Sequence, residues 1–134
     1  MSNGPVSGNG IALTVPTGKT AFWSVVTQAA WQQFVQLTDS AGNIVFTATG
    51  SSTGGNSPTQ IGVGTFVAAD PGGNYNLYVG INGGSQWSSV MWDVLPLALG
   101  QTTMSSSYSF ISEDGADQDY NDSCVSLTWF EQIG

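Results

Sequence analysis

Apolar and polar residues alternate over short stretches of this chain, and Gly, Asn, Ser or Asp separates one stretch from the next. The run Val125-Ser126-Leu127-Thr128-Trp129 shows the alternation most clearly, because every second side chain is apolar. A period of two residues is typical of a half-buried β-strand, and no dozen residues keep the apolar stripe of an amphipathic helix. The pattern predicts strands over residues 11–15, 20–28, 32–39, 44–49, 60–67, 74–82, 86–95, 104–112 and 123–130.

Strands of this number and spacing favour an all-β fold, an antiparallel β-sandwich of about nine strands. Residues 40–43, Ser-Ala-Gly-Asn, predict a hairpin turn between two of the strands, and residues 50–58 predict a longer polar loop. A chain of 134 residues is long enough to bury one core of its own. We therefore expect a single domain over residues 1–134.

Charged residues are scarce and almost all of them are acidic. They make up 7% of the chain, and nine acids against one base, Lys19, give a formal net charge of −8. Nucleic acids and anionic membranes attract Lys and Arg, so neither is an expected partner, and the apolar runs are too short for membrane insertion. A chain without His or Arg cannot form a Ser-His-Asp triad, a His-ligated zinc site or an arginine clamp on phosphate. These absences exclude most familiar enzyme mechanisms, and we expect a protein that is not an enzyme.

The first residues, Met-Ser-Asn-Gly-Pro, carry neither the basic nor the apolar region of a signal peptide. We expect any export to the cell surface or the medium to follow a non-classical route. Cys124 is the single cysteine, so an intrachain disulfide is excluded.

Five of the nine acids, together with Asn121, lie within the eleven residues 112–122. Carboxylates so close together repel one another, by about 1 kcal/mol per pair in water and by more where solvent is excluded. A multivalent cation would relieve this repulsion. Oxygen donors without His or Cys favour Ca²⁺ over zinc or copper, and Mg²⁺ is less suited because it keeps several of its waters. The other interpretation is a solvated acidic turn without a metal.

An EF-hand does not account for the segment. The spacing of Asp117, Asp119 and Asn121 fits ligand positions one, three and five of that loop. Position six, however, is Asp122 where the EF-hand needs Gly, and position twelve is Thr128 where it needs Glu.

The segment Ser-Glu-Asp-Gly-Ala-Asp-Gln-Asp-Tyr-Asn-Asp at 112–122 resembles the metal loop of the two-calcium fucose/mannose-binding bacterial lectins, the fucose-binding lectin II family. A short apolar strand, a Trp and a final Gly follow it, as in that family. The resemblance implies two Ca²⁺ ions per chain, with Asp119 and Asp122 bridging both. The implied metal ligands are Glu113, Asp117, Asp119, Asn121, Asp122, the backbone carbonyl of Gln28, and the C-terminal carboxylate of Gly134 reaching over from a partner subunit.

The resemblance also implies the sugar-binding residues. Asp114 would accept a hydrogen bond from a sugar hydroxyl, while Ala29, Ala30 and Trp31 occupy the positions that tune monosaccharide preference in the family. Two alanines offer no hydroxyl to the sugar, which favours mannose over fucose. The implied protein is a lectin for mannose- and fucose-containing glycans, assembled as a homodimer or as a tetramer. The chain is about two residues longer after Trp129 than the family ending, which bears on the reach of Gly134.

Two other functions fit parts of the sequence. A structural or adhesive β-sandwich could use Ca²⁺ for stability alone and bind no sugar. A glycosidase could recruit Glu113 and Asp114 as its acid pair, although neighbouring residues seldom face each other at the separation that glycoside hydrolysis requires.

Overall fold

The computed structural model describes residues 2–5, 8, 10–52, 57–115 and 119–132. These ranges contain eleven β-strands and one 3-10 turn, Asn82–Gly84. In chain order the strands β1 to β11 are Ser2–Pro5, Ile11–Thr14, Thr20–Thr27, Gln33–Asp39, Ile44–Gly50, Thr59–Val67, Asn74–Ile81, Gln86–Trp87, Ser89–Leu99, Thr102–Glu113 and Ser123–Phe130. No helix among these residues has both the length and the apolar character needed to cross a membrane.

The strands form two antiparallel sheets. One sheet has the strand order β1-β9-β10-β11-β3-β6, and the other has the order β2-β7-β4-β5 with the short β8 added beside β7. Side chains on alternate residues meet between the sheets, where Val25, Phe110 and Leu127 of the first pack against Val35 and Leu77 of the second. The predicted antiparallel β-sandwich is therefore confirmed. The strand count exceeds nine because of β1 and β8.

The hairpin turn predicted at residues 40–43 is present between β4 and β5. The Asp39 carboxylate accepts hydrogen bonds from the backbone N–H groups of Ala41 and Asn43, at 3.0 and 2.8 Å. A side chain that satisfies backbone donors in this way stabilises a tight turn. Part of the predicted loop at 50–58 lies outside the described residues.

The strand predicted at 86–95 is wrong in detail, because the chain changes sheets at Ser88. Residues 86 and 87 pair with β7, whereas β9 begins at Ser89 and pairs with β10 in the other sheet. β9 also runs on to Leu99 through Pro96. Beyond Trp92, β9 pairs with β10 alone among the described residues, so Pro96 lies in an edge segment of the sheet, where proline is tolerated.

Two loops meet at one end of the sandwich. Residues 114–122 join β10 to β11, and residues 28–32 lead from β3 in the six-stranded sheet to β4 in the other sheet. β3 pairs directly with β11, with Thr27 opposite Ser123, so both loops leave the sheet side by side. This pairing places the acidic segment next to residues 28–31.

Candidate metal and sugar site

Hydrogen bonds fasten the two loops to each other. The Gln28 N–H donates to the carbonyl of Asn121 at 3.2 Å, and the Thr27 hydroxyl donates to the carbonyl of Asp122. On the far side of the first loop, the backbone N–H of Ser52 donates to the carbonyl of Ala29 at 2.8 Å. The loop at 28–31 is therefore held from both sides.

Three of the predicted metal ligands converge in the acidic loop. Carboxylate oxygens of Glu113, Asp119 and Asp122 all lie within 4.8 Å of one another. Glu113 and Asp122 are buried, with 4% and 8% of their surface exposed, whereas Asp119 is open to solvent. A cluster of oxygen donors that is closed on one side and open on the other suits a hard cation that is also to contact a ligand.

Glu113 organises the loop around itself. Its carboxylate accepts backbone N–H donors from Gly115 at 2.9 Å and from Asp119 at 3.0 Å. The Asp122 carboxylate accepts the N–H of Asp114 at 2.7 Å. Tyr120 turns the chain in the left-handed region at φ 51°, which is uncommon for a residue with a side chain. These contacts bend the segment so that the carboxylates of Glu113, Asp119 and Asp122 face one point.

The cluster is electrostatically incomplete without a cation. Burial, a hydrogen bond with Glu113 and the nearby acids raise the pKa of Asp122 to about 8. A carboxyl group with that pKa keeps a proton at neutral pH, which is the response expected when carboxylates are forced together without positive charge. The all-oxygen donor set and the charge deficit both fit Ca²⁺, and neither fits a metal that prefers nitrogen or sulfur.

A cavity of about 340 Å³ opens beside the carboxylates. Its volume lies in the range of small-ligand pockets and suits a monosaccharide. Ala29 is buried in its wall, Ala30 is exposed, and Trp31 stands at the rim with 58% of its surface exposed. The lining residues are Gln28, Ala29, Ala30, Trp31, Asp114, Gly115, Asp119, Asn121 and Asp122.

The structure thus brings together nearly all the residues that the sequence singles out. Eight of them line the cavity, and Glu113 belongs to the carboxylate cluster that the cavity borders. Asp117 and Gly134 lie outside the described residues. Trp31 is exposed and lines the cavity, whereas Trp129 is buried in the hydrophobic core.

Besides Gly115 of the cavity lining, sequence reasoning missed one residue that holds the site, Gln33. Its side chain is fully buried and hydrogen-bonds to Asp114, to the carbonyl of Trp31 and to the hydroxyl of Ser123. A signal was available in the sequence. The period of two puts Gln33 on the same face of β4 as Val35 and Leu37, where an amide is out of place unless it has partners.

Glu131 follows the last residue of β11, at the end of that strand that is far from this site. Its carboxylate accepts the indole N–H of Trp129 at 2.9 Å and lies 3.6 Å from the Lys19 ammonium, which also donates to the Glu131 carbonyl at 2.8 Å. Glu131 is therefore occupied within its own chain.

The β-sandwich and the open carboxylate pocket are features expected of a carbohydrate-binding lectin. The family model for fucose-binding lectin II (PA-IIL) matches residues 13–131, and the chain belongs to that family. Lectins of this family bind calcium, and the carboxylate cluster is the group of described residues suited to it. A comparison with curated protein sequences finds no match.

Solved structures of three bacterial lectins share the fold. The Chromobacterium violaceum lectin CV2L, in complex with α-methyl-fucoside, is 26% identical with a TM-score of 0.73, and the match covers 92% of this chain and 96% of that one. A high-affinity mannose-binding lectin of Ralstonia solanacearum is 24% identical with a TM-score of 0.76, covering 96% and 100%. The C-terminal domain of the BC2L-C lectin from Burkholderia cenocepacia is 23% identical with a TM-score of 0.72, covering 92% and 96%.

Proposed function

We propose that this chain is a calcium-dependent lectin for mannose and fucose, in which the sugar binds to two adjacent Ca²⁺ ions. The observation that carries the proposal is the cluster of Glu113, Asp119 and Asp122 at the edge of an open cavity, in a chain of the fucose-binding lectin II family. The lectin domain extends over residues 1–134, and the function is binding without catalysis.

The proposed metal ligands are oxygen atoms from both loops. They are Glu113, Asp117, Asp119, Asn121, Asp122, the Gln28 carbonyl and the Gly134 carboxylate of a partner subunit. The raised pKa of Asp122 supports this assignment, because the cluster lacks positive charge when it is empty. Two bound Ca²⁺ would supply coordination positions for sugar hydroxyls, an attraction that exceeds the roughly 1 kcal/mol net of an ordinary neutral hydrogen bond.

The remaining cavity residues would select the sugar. Asp114 accepts a hydroxyl proton, while Ala29 and Ala30 offer only methyl groups and favour mannose. Trp31 offers an apolar surface at the rim of the cavity, beside the group attached to the bound sugar. The related lectins support the substrate class, since one was solved with a methyl fucoside and another is described as mannose-binding.

The proposed assembly is a homodimer formed through the outer face of the six-stranded sheet. Strand alternation puts this face opposite the buried Val125, Leu127 and Trp129. The rings of Phe22 and Phe130 lie 5.5 Å apart on it, and Asp93 is the only acidic or basic residue in register with it among the described residues. We name this surface the outer face and define it by Phe22, Ser24, Ser107, Ser109, Ser126, Thr128 and Phe130.

A second copy fits the outer face better than a charged partner does. Small hydroxyl side chains in its centre allow two sheets to pack closely, and a chain with a net charge of −8 repels its own copy least where it carries least charge. A dimer built in this way would bring one chain end towards the partner's site, as Gly134 requires.

Calorimetric titration tests the proposal. Methyl α-mannoside and L-fucose are titrated into the protein with about millimolar Ca²⁺, and again after chelation. We expect heat of binding only with calcium, mannose at least as tight as fucose, and no binding of glucose or galactose. If neither sugar gives heat of binding and the melting temperature still depends on calcium, the metal would have a purely structural role.

A further inference from the structure

Gln33 is a polar residue in an apolar place. It begins β4 with 0% of its surface exposed, and its neighbours on the same face are Val35 and Leu37. A buried primary amide costs free energy unless its carbonyl and both N–H groups have partners. Its position therefore has to be explained by the groups it binds.

Those partners belong to three separate segments around the sugar cavity. The Gln33 carbonyl oxygen accepts from the Ser123 hydroxyl at 3.0 Å, where β11 begins. Its amide nitrogen donates to a carboxylate oxygen of Asp114 at 2.8 Å and to the backbone carbonyl of Trp31 at 3.3 Å. One side chain thus connects the acidic loop, the loop at 28–31 and the sheet between them.

The chemistry of these partners permits only one orientation of the amide. The Asp114 carboxylate and the Trp31 carbonyl can accept but not donate, so both must face the NH₂ group. Turning the amide over would set its oxygen against two other oxygens. Gln33 therefore fixes the position of Asp114, and of Trp31, by hydrogen bonds that have no equivalent alternative.

We propose that Gln33 is the positioning residue of the sugar pocket, which holds the Asp114 carboxylate and the Trp31 backbone at the spacing that a bound sugar needs. The inference rests on the proposed function and adds a residue to it. Gln33 bonds to Asp114 and not to Glu113, Asp119 or Asp122, which make up the carboxylate cluster. Its removal therefore affects sugar binding and spares calcium binding.

The test is the substitution Gln33→Met, which keeps the length of the side chain and removes its hydrogen bonds. Methyl α-mannoside is titrated at saturating calcium, and calcium is titrated separately into chelator-treated protein. We expect sugar affinity to fall about tenfold, the equivalent of one charge-assisted hydrogen bond, and calcium affinity to change less than about twofold. Gln36→Met is the matched control, because Gln36 lies on the same strand with its amide exposed and bonded to Thr47.

A second set of variants separates positioning from a general loss of packing. In an Asp114→Asn background, Gln33→Met should cost less sugar affinity than it does in the wild type, because the group it positions is already altered. Ser123→Ala removes only the donor to the Gln33 carbonyl, and we expect a loss of about threefold. This milder variant decides the matter if Gln33→Met does not fold.

The possible outcomes differ in what they overturn. Sugar affinity unchanged in Gln33→Met, or sugar and calcium affinity lost to the same extent, would refute the positioning role. Wild-type protein that binds neither mannoside nor fucose with calcium present would instead refute the proposed function. A selective loss of sugar affinity, smaller in the Asp114→Asn background, supports both.

Discussion

Asp122 makes the stability of the metal-free protein depend on pH in an unusual direction. Its pKa of about 8 in the folded chain lies above the ordinary value of 3.8, so the folded state holds a proton that the unfolded chain has released. The stabilisation is complete below about pH 4 and is lost as the pH rises through about 8. Chelator-treated protein should therefore melt several degrees lower near pH 8 than near pH 5.

The Asp122→Asn variant is the control, because it removes the titrating group and should flatten this slope. Saturating calcium should flatten it too, since the cation replaces the proton. Asp70 has the opposite sign, as hydrogen bonds from Ser40 and Asn74 lower its pKa, but its effect is confined to pH values below about 4. A melting temperature that rises from pH 5 to pH 8 in chelator would contradict the assignment.

Trp31 should distinguish glycosides of the same sugar by their aglycone, the group attached to the sugar ring. An exposed indole at the rim of the cavity can stack on an aromatic aglycone but touches a methyl group little. Trp31→Ala should weaken binding of p-nitrophenyl α-mannoside about three- to tenfold and binding of methyl α-mannoside less than that. Titration of both glycosides measures the ratio.

Ile44→Ala serves as the comparison, since Ile44 is equally exposed and lies at the hairpin turn away from the cavity. If Trp31→Ala reduced affinity for both glycosides by the same factor, the indole would contact the sugar ring alone and no aglycone subsite would exist.

At the scale of elements, Gly80 is required by the short strand β8. A methyl group on Gly80 would collide with the carbonyl oxygen of Gln86 and would lie 2.9 Å from Cε3 of Trp87. Backbone atoms cannot yield cheaply, so Gly80→Ala should destabilise the protein by about 1–3 kcal/mol in chemical denaturation. Gly8→Ala, with nothing within 4 Å of its added carbon, should cost less than about 0.5 kcal/mol. Equal midpoints for the two variants would show that β8 moves freely.

Most strands could be predicted because alternation and turn residues are local signals. β11 has the predicted bounds 123–130, and β4 begins within one residue of its prediction. The break at Ser88 could not be predicted in the same way. Its side chain and flanks resemble any other strand interior, and the choice of sheet is made by distant partners, β7 on one side and β10 on the other.

The same difference between local and distant signals decides which residues of the site could be predicted. Glu113, Asp119 and Asp122 are close in sequence, so their density alone indicates a cation, and a known loop pattern supplies the rest. The contact between Gln33 and Asp114 joins residues 81 positions apart. Gln33 begins β4 in one sheet and Asp114 follows β10 in the other, so the packing of the two sheets brings them together, and no local pattern encodes that packing.

At the scale of the whole molecule, the outer face determines the proposed dimer. Ser126 lies in its middle, opposite Ser109 on one neighbouring strand and Ser24 on the other. Ser126→Lys would bury two ammonium groups at a two-fold interface, which costs far more than a surface pair returns. Sedimentation velocity should therefore show a dimer for the wild type and a monomer for the variant.

Thr49→Lys introduces the same charge on the exposed side of β5 in the other sheet and should leave the dimer intact. A wild type that sediments as a monomer at about 50 μM, or a Ser126→Lys variant that remains dimeric, would exclude the outer face as the interface.

The pairing of Thr27 with Ser123 also bears on the rates of folding and unfolding. Both loops of the site depend on a contact between opposite ends of the chain, and contacts so distant in sequence form late in folding. We expect the site to form after the transition state, so calcium bound there should slow unfolding strongly and leave the refolding rate almost unchanged. Stopped-flow mixing with calcium and with chelator would measure both rates, and a faster refolding rate with calcium would place the site in the folding nucleus. The lifetime of the folded protein would then be set, as long as calcium stays bound, by how slowly this one pairing opens.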